Sequence, residues 1–306
     1  MLRLKWLRNK EIDYNRWDKC IQHSFNGSVF AFSWFLDIVS PDWGALVDEE
    51  YESVMPLPGR RFINYPVIRQ PSWAASLGIY SVGLLKSGTI EAFIKSIPAD
   101  YSTVNLYLNK YNRLNGSEAY LKRWKKSYEL DLINDYQKIR SRYSSNTIAK
   151  LEQSEKAKLT IVRGLQPNEI INLYNRSNIK RPVLKKEKEA SLRMIISSAI
   201  RFKMGELYGI YSANNTLCAA GFFIWSHNKV YLLFRALNYT GSQSKAQYFL
   251  IDQFIRQHAG KNTVLNLEYM KTRNEEHMCL GFGAKECLYP EIKINTLPWY
   301  IKVFHR

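Results

Sequence analysis

Residues 206–237, ELYGIYSANNTLCAAGFFIWSHNKVYLLFRAL, decide the fold of this chain. The stretch contains three apolar runs, 206–212, 217–225 and 230–237, separated by short polar segments that contain Asn and Ser. Apolar runs of this length, joined by polar turns, are typical of antiparallel strands. The middle run is apolar throughout, which favours burial on both faces. The pattern therefore predicts a three-stranded antiparallel meander.

Helices are predicted on both sides of the meander. Upstream, one helix begins near Pro167, which suits a first turn because its missing N–H is not needed there. A second upstream helix places its apolar residues on one face, at i, i+3, i+4 and i+7: Leu192, Ile195, Ile196 and Ala199. Downstream, an apolar helix at 245–259 precedes a strand at 264–268, a short helix and a last strand at 286–294.

The first half of the chain repeats this order more loosely. Its predicted elements are a strand, two helices, a hairpin, a helix and two strands, at 3–7, 14–23, 32–39, 44–57, 88–97, 103–108 and 125–130. The two halves share no visible residue-level repeat, so the duplication is one of architecture. We predict a mixed α+β protein with two tandem domains, 1–135 and 136–306, in which 136–160 is a helical bridge.

The composition excludes several classes of protein. With 46% hydrophobic and 23% charged residues the chain is ordinary for a globular protein. Its longest apolar stretch, 218–225, is too short for a transmembrane segment, and the N-terminus lacks the apolar core of a signal peptide. The four cysteines lack the paired Cys-x₂-Cys spacing of zinc sites, so we expect reduced thiols, no metal and a cytoplasmic location.

The net charge of +17 is unevenly distributed. Residues 1–153 contain 21 Lys and Arg against 16 Asp and Glu, whereas residues 154–306 contain 23 against 11. A polyanionic partner, such as tRNA, a lipid-linked pyrophosphate or an anionic membrane surface, would explain this excess. A basic charge that only keeps the protein soluble explains it equally well.

Short patches along the chain resemble the Fem-type, tandem-GNAT transferases and their bacterial relatives. In the second half these patches are YSSNT at 143–147, LNLE at 265–268, GFGA at 281–284, Tyr289, and NTLP at 295–298. In the first half they are DWGALV at 42–47, MPLP at 55–58, and the segment from QP at 70 to LG at 78. The resemblance implies two tandem GNAT-like domains, each a mixed, mainly antiparallel sheet flanked by helices.

The resemblance also implies a function. Fem-type enzymes move an aminoacyl group from charged tRNA to a peptidoglycan precursor, and ordinary GNAT enzymes use acyl-CoA. We therefore expect an N-acyltransferase that acts on an amine of a cell-envelope, sugar or peptide acceptor, with acyl-CoA or aminoacyl-tRNA as cosubstrate and no tightly bound cofactor. Strands 230–237 and 264–268 are expected to part and open a slot for the donor carbonyl.

Two alternatives stay open. One is an acyl-CoA-dependent acetyltransferase of a small amine, and the other is a non-catalytic double-GNAT scaffold that binds an anionic glycan, a lipid carrier or tRNA. The sequence departs from the family in two places. It has no clean copy of the acyl-CoA pyrophosphate loop, and Tyr269 and Met270 follow Glu268 where the relatives have small residues.

The segment NYTGSQSK at 238–245 is the candidate donor site. A Gly/Ser turn at a helix N-terminus presents amide groups and the positive end of the helix dipole to a phosphate or carboxylate. The residues predicted to bind the donor are Arg235, Asn238, Gly241, Ser242, Ser244 and Lys245. A plain strand-to-helix connection with capping serines explains the same residues.

Two residues are candidates for proton transfer. Glu268 ends a largely apolar strand, where a carboxylate can accept a proton from an attacking amine, and Tyr289 is the candidate donor to the leaving group. Alternatively, Glu268 pairs with Lys271 or Arg273, and Tyr289 lies in the core. No histidine lies in a recognisable triad context, and direct transfer to an amine does not need one.

The acceptor is expected to enter near a basic loop. The residues predicted to bind it are Tyr143, Asn146, Lys180, Arg181, Lys185 and Lys186. A solvated charged turn explains the lysines as well. A second basic cluster surrounds Trp124 at 122–126, and it suits either a nucleic-acid surface or an exposed strand edge that lysines protect.

Overall fold

The structure is a computed structural model that describes residues 3–62, 65–114, 120–177, 182–267 and 272–295. It divides into two compact units, the first formed by Met1–Lys126 with Leu288–Arg306 and the second by Ser127–Cys287. The sequence-based boundary after residue 135 did not include this return of the C-terminal segment to the first unit. Among the described residues, no helix has the length and apolar character needed to cross a bilayer.

Fourteen strands are present in the described residues. They are β1 (Leu4–Leu7), β2 (Gly44–Asp48), β3 (Ser53–Leu57), β4 (Gly59–Phe62), β5 (Tyr65–Arg69), β6 (Tyr80–Ser81), β7 (Thr103–Tyr107), β8 (Leu121–Asp131), β9 (Thr160–Arg163), β10 (Gly205–Tyr211), β11 (Leu217–Ser226), β12 (Lys229–Leu237), β13 (Val264–Asn266) and β14 (Lys285–Asn295). The border between the units falls inside β8 and inside β14.

Ten α-helices accompany these strands in the described residues. They are α1 (Tyr14–His23), α2 (Ser33–Val39), α3 (Ser87–Lys95), α4 (Tyr136–Arg140), α5 (Ser145–Lys156), α6 (Pro167–Asn175), α7 (Lys186–Arg201), α8 (Tyr239–Gln243), α9 (Ala246–His258) and α10 (Arg273–Gly281). The caps explain several starts. Asp13 accepts hydrogen bonds from two amides of α1, and Pro167 opens α6 with a capping box between Gln166 and Glu169.

The first unit contains two sheets. In one, β1, β2, β3 and β6 pair antiparallel in that order. In the other, β4 pairs antiparallel with β5, β5 parallel with β7, and β7 antiparallel with β14. One face of the second sheet packs its apolar residues, among them Ile68, Val104 and Leu106, with Phe93 of α3. The hairpin of β4 and β5 was not predicted from the sequence.

The second unit contains the predicted meander. β10, β11 and β12 pair antiparallel in sequence order, and β9 extends the sheet beyond β10. Helices α6 and α7 pack on one face and α9 on the other, where the rings of Phe223 and Phe254 stack at 3.9 Å. This double cover explains the continuous apolar run of β11, which is buried on both faces.

The segment predicted as a bridge belongs to the second unit. It forms α4 and α5, and Leu151 of α5 is buried in the core of that unit. The serine at the start of α5, Ser144, caps the helix by accepting from the Thr147 amide, and its own amide donates to the carbonyl of Gly281. These contacts anchor α5 to the end of α10.

Candidate active site

The neighbouring strands β12 and β13 pair over only part of their length. Their parallel ladder joins Lys229 to Val264 and ends where Tyr231 lies opposite Asn266. β13 ends there, whereas β12 continues to Leu237. Within the described residues, the two strands predicted to part are therefore paired only at their beginning.

A buried polar group lies at the last rung of this ladder. Asn266 is completely buried between Tyr231 of β12 and Glu129 of β8, which are its neighbours in register. Its side-chain amide donates to the hydroxyl of Ser127 at 2.9 Å and to Oε1 of Glu129 at 3.4 Å. The ammonium group of Lys229 lies 2.5 Å from the same Oε1 atom. One carboxylate thus lies, with its hydrogen-bond donors, beside the last described rung of this ladder.

The first turn of α10 spans the end of β13. Arg235 of β12 donates to Oε1 of Glu275 at 2.6 Å, and the hydroxyl of Tyr128 on β8 donates to Oε1 of Glu276 at 2.5 Å. β13 lies between β8 and β12, so these two contacts connect α10 to the strands on both sides of β13. Burial, followed by the Glu276 carboxylate, raises the pKa of Tyr128, which therefore stays a hydrogen-bond donor. Arg235, predicted to bind the donor, is engaged in an ion pair.

The predicted donor turn is closed by its own hydrogen bonds. The side chain of Asn238 caps α8 by accepting from the Gly241 amide at 2.9 Å. Gly241 lies against β11, because a Cβ atom at this position would be 2.2 Å from the carbonyl oxygen of Cys218. The need for glycine here is therefore explained by packing of the backbone against the sheet.

The remaining residues of this turn also bond within it. The amide of Ser242 donates to the Asn238 carbonyl at 3.0 Å, that of Ser244 to the Thr240 carbonyl at 3.0 Å, and that of Lys245 to the Ser242 carbonyl at 3.4 Å. Lys245 precedes α9 in the left-handed region, with φ of 55°. These amides are already engaged in the turn as it stands, and the anion site proposed there stays a prediction.

The two candidates for proton transfer differ in what the structure shows of them. Glu268 lies outside the described residues, directly after the buried Leu267. Tyr289 lies on the part of β14 that belongs to the first unit, where it is 2% exposed, with the ammonium of Lys125 6.0 Å from its ring. Their catalytic roles stay predictions.

The predicted acceptor residues fall into two environments. Lys180 and Arg181 lie outside the described residues, while Lys185 and Lys186 are exposed at the start of α7. Their high exposure is compatible with either a solvated turn or a binding surface.

Tyr143 and Asn146 flank the start of α5 but differ in exposure. Tyr143 is 8% exposed, and its ring meets that of Phe282 edge to face at 5.1 Å. Burial raises the pKa of its hydroxyl. Asn146 is exposed on the helix surface. Tyr143 therefore helps to build the core of the second unit, whatever its role toward an acceptor.

Comparison with solved structures identifies the fold. FemX superposes with a TM-score of 0.70 at 10% sequence identity, over 98% of this chain and 99% of that chain. A tandem GNAT protein from the clavulanic acid biosynthesis pathway superposes with a TM-score of 0.54 at 9% identity, over 97% of this chain and 99% of that chain. The chain has a tandem-GNAT fold. This confirms the predicted fold class and the resemblance on which it was based.

The same tandem-GNAT fold occurs in other proteins. The C-terminal domain of a protein assigned as a lysylphosphatidylglycerol synthetase in Agrobacterium fabrum superposes with a TM-score of 0.57 at 9% identity, over 96% of this chain and 94% of that chain. No protein-family model and no curated protein sequence matches the chain. At such identities the similarity shows the fold alone.

Sequence reasoning missed the polar group around Glu129 in this tandem-GNAT fold. Glu129 and Asn266 lie far apart in sequence and meet only because β8 and β13 are neighbours. The one available signal was a polar residue inside an apolar strand, as in Leu265-Asn266-Leu267, since buried amides need hydrogen-bond partners.

Proposed function

We propose that the protein transfers an acyl or aminoacyl group to an amine at the point where β12 and β13 part. The short ladder between the two strands, which ends at Tyr231 and Asn266, is the observation that supports this proposal. An extended donor with amide groups can lie along a strand edge in the way that a peptide adds to a sheet. We place the donor beside β12, next to the rung between Tyr231 and Asn266.

Direct transfer requires positioning, removal of a proton and stabilisation of the developing charge. The amine nitrogen forms a bond to the donor carbonyl carbon, gives a proton to a carboxylate, and the bond from that carbon to the leaving sulfur or oxygen breaks. Two carboxylates are proposed as the group that accepts this proton: Glu129, beside the last rung, and Glu268, just after Leu267. Tyr289 stays a proposal as proton donor to the leaving group.

The donor is proposed to be either acyl-CoA or aminoacyl-tRNA. Proteins of the same fold include one assigned as a lysylphosphatidylglycerol synthetase. They also include a tandem GNAT protein whose structure was determined in a form without acetyl-CoA. The basic excess of residues 154–306 suits a polyanionic donor. The acceptor is proposed to be an amine of a cell-envelope precursor, a sugar or a peptide, and the reaction to take place in the cytoplasm.

Binding experiments separate the two donors. Acetyl-CoA should raise the melting temperature if an acyl-CoA is the donor, because a ligand that binds only the folded state stabilises it. Charged tRNA should bind with an affinity that falls steeply with salt if it is the donor. A protein that binds tRNA yet transfers nothing to any amine would be the non-catalytic scaffold, and one that binds neither donor would contradict the proposal.

Transfer assays with matched variants test the site. Glu129→Gln and Glu268→Gln each remove one candidate base with little change in shape, and Glu152→Gln makes the same change on the exposed side of α5. We expect at least one of the first two to lower kcat by about 100-fold or more, and Glu152→Gln to leave it unchanged. Full activity in both site variants would place the reaction elsewhere.

A further inference from the structure

A row of polar side chains crosses the second sheet of the first unit. Arg69 of β5 lies opposite Asn105 of β7, which lies opposite Lys293 of β14. Cross-strand neighbours project from the same face of a sheet, so the three side chains lie side by side. They line a cavity of about 280 Å³ with Thr103 and Lys122. The opposite face of this sheet is the apolar core of the unit.

Thr103 provides the first indication of a ligand. Its side chain is 1% exposed, and its hydroxyl oxygen has no hydrogen-bond partner among the described residues. Buried hydroxyls are almost always hydrogen-bonded, because leaving one unpaired costs free energy. Thr103 is one of the residues that line the cavity, and a ligand oxygen beside it would offer its hydroxyl a hydrogen-bond acceptor.

The charge of the cavity provides the second indication of a ligand. Arg69 and Lys293 form no ion pair with any carboxylate among the described residues. Arg60 lies opposite Val67 on the same face. The pKa of Arg60 is lowered, first by burial and then by the positive charge of Arg69. Cations on one face that lack ion-pair partners of their own repel one another, and an anion bound between them would relieve this repulsion.

Two further cations, Lys122 and Arg123, share one carboxylate. Glu291 is 1% exposed on this face, with the ammonium of Lys122 at 3.3 Å and the guanidinium of Arg123 in direct contact. Its single negative charge does not offset the three cations that line the cavity, Arg69, Lys122 and Lys293, since it is shared by Lys122 and Arg123. The net charge facing the cavity is therefore positive.

We propose that this cavity binds the phosphate or pyrophosphate group of a small molecule. Arginine and lysine with a hydroxyl donor form the usual charge-assisted contacts to phosphate oxygens. The volume suits one or two phosphate groups with a small attached moiety, and it is below the range of pockets for larger ligands. The proposal does not rest on acyl transfer, since every residue of the cavity belongs to the first unit.

Titration calorimetry with pyrophosphate on the full chain, at constant ionic strength, tests this proposal. Arg69→Gln should raise the Kd about tenfold or more, because it removes a charged hydrogen bond to the ligand. Thr103→Val should raise it several-fold while leaving folding stability unchanged or improved, because the hydroxyl it removes is unpaired. Thr103→Ser should restore binding. Lys19→Gln, on the exposed side of α1, makes the same charge change away from the cavity and should leave the Kd unchanged.

Several results would overturn the proposal. One is a wild-type protein that does not bind pyrophosphate at millimolar concentration. Another is an equal loss in Lys19→Gln and Arg69→Gln, which would mean that only net charge matters. Malonate binding as tightly as pyrophosphate would assign the cavity to carboxylates. A short RNA that binds where pyrophosphate does not would assign the cations to a nucleic-acid surface.

Discussion

The ammonium nitrogen of Lys229 lies 2.5 Å from Oε1 of Glu129, and the two side chains are 21% and 12% exposed. The pair joins β12 to β8 on either side of β13, beside the described ladder of β12 and β13. A largely buried pair of this kind fixes geometry more than it adds stability, because both ions lose much of their hydration. The loss of one partner is nevertheless expensive, because it leaves the other charge buried and uncompensated.

Lys229→Met is therefore expected to lower the free energy of unfolding by about 3 kcal/mol. The double variant Lys229→Met/Glu129→Leu should recover most of that loss, since it removes both charges from the interior. Urea denaturation of the wild type, of Lys229→Met, of Glu129→Leu and of the double variant measures the coupling between the two side chains. If the double variant is as unstable as the sum of its single changes, the two side chains do not interact as described.

The buried thiols should be inert toward thiol reagents in the folded protein. Burial raises the pKa of Cys20 to about 12, of Cys218 to about 11 and of Cys279 to about 12, and only the thiolate reacts. Cys287 is the most accessible of the four. We expect one thiol to react rapidly with a chromogenic disulfide and the others only on unfolding.

Cys287→Ser supplies the control for this experiment. The substitution should abolish the rapid phase and leave the slow phase unchanged. A rapid phase that persists in Cys287→Ser would show that one of the three buried cysteines is accessible through local opening.

Gly241→Ala tests the close approach of the predicted donor turn to β11. The added methyl group would lie 2.2 Å from the carbonyl oxygen of Cys218, a main-chain atom that cannot move without distorting β11. We expect a loss of about 2 kcal/mol in the free energy of unfolding. Gly88→Ala is the control, because its methyl group would meet no atom within 4 Å and lies in α3. It should stabilise the protein by about 0.5–1 kcal/mol, and a Gly241→Ala protein as stable as wild type would contradict the described packing.

Local patterns predicted the elements of the second unit well, because each signal lay within a few residues. The apolar period gave β10, β11 and β12 nearly to the residue, and Pro167 marked the first turn of α6. The border between the units could not be predicted from local sequence patterns. It depends on β14 pairing with β7, a contact between segments at opposite ends of the chain.

The candidate site was harder to predict for the same reason. The segment 238–245 connects β12 to α9, but its sequence does not reveal that it forms the short helix α8 or that the Asn238 side chain caps the Gly241 amide. Likewise, Arg235 was chosen as a cation for the donor, and its partner Glu275 comes from a helix later in the chain. A residue's chemistry can be read locally, whereas its partner is set by tertiary contacts.

Asp252 of α9 provides a test of the interior electrostatics of the second unit. It is 4% exposed, and its two carboxylate oxygens lie 3.0 and 2.9 Å from the Tyr136 hydroxyl oxygen, whose single O–H donates to them. Burial raises the pKa of Asp252 above its ordinary value, and the hydrogen bond from Tyr136, with the charges of Arg140 and Arg256, only partly offsets this effect. The folded protein therefore holds a proton on Asp252 more tightly than the unfolded chain does.

Folding raises the pKa of Asp252. The stability that Asp252 contributes is therefore greatest at pH values below its ordinary pKa of 3.8, and it is lost as the pH rises through the raised pKa. Asp252→Asn keeps an acceptor for Tyr136 and cannot ionise, so it should gain stability relative to wild type as pH increases from about 4 toward 7. Urea midpoints of both proteins across this range measure the difference. Asp42→Asn, at an exposed position, should track the wild type at every pH. Parallel curves for Asp252→Asn and the wild type would show that Asp252 has the same proton affinity in the folded and unfolded states.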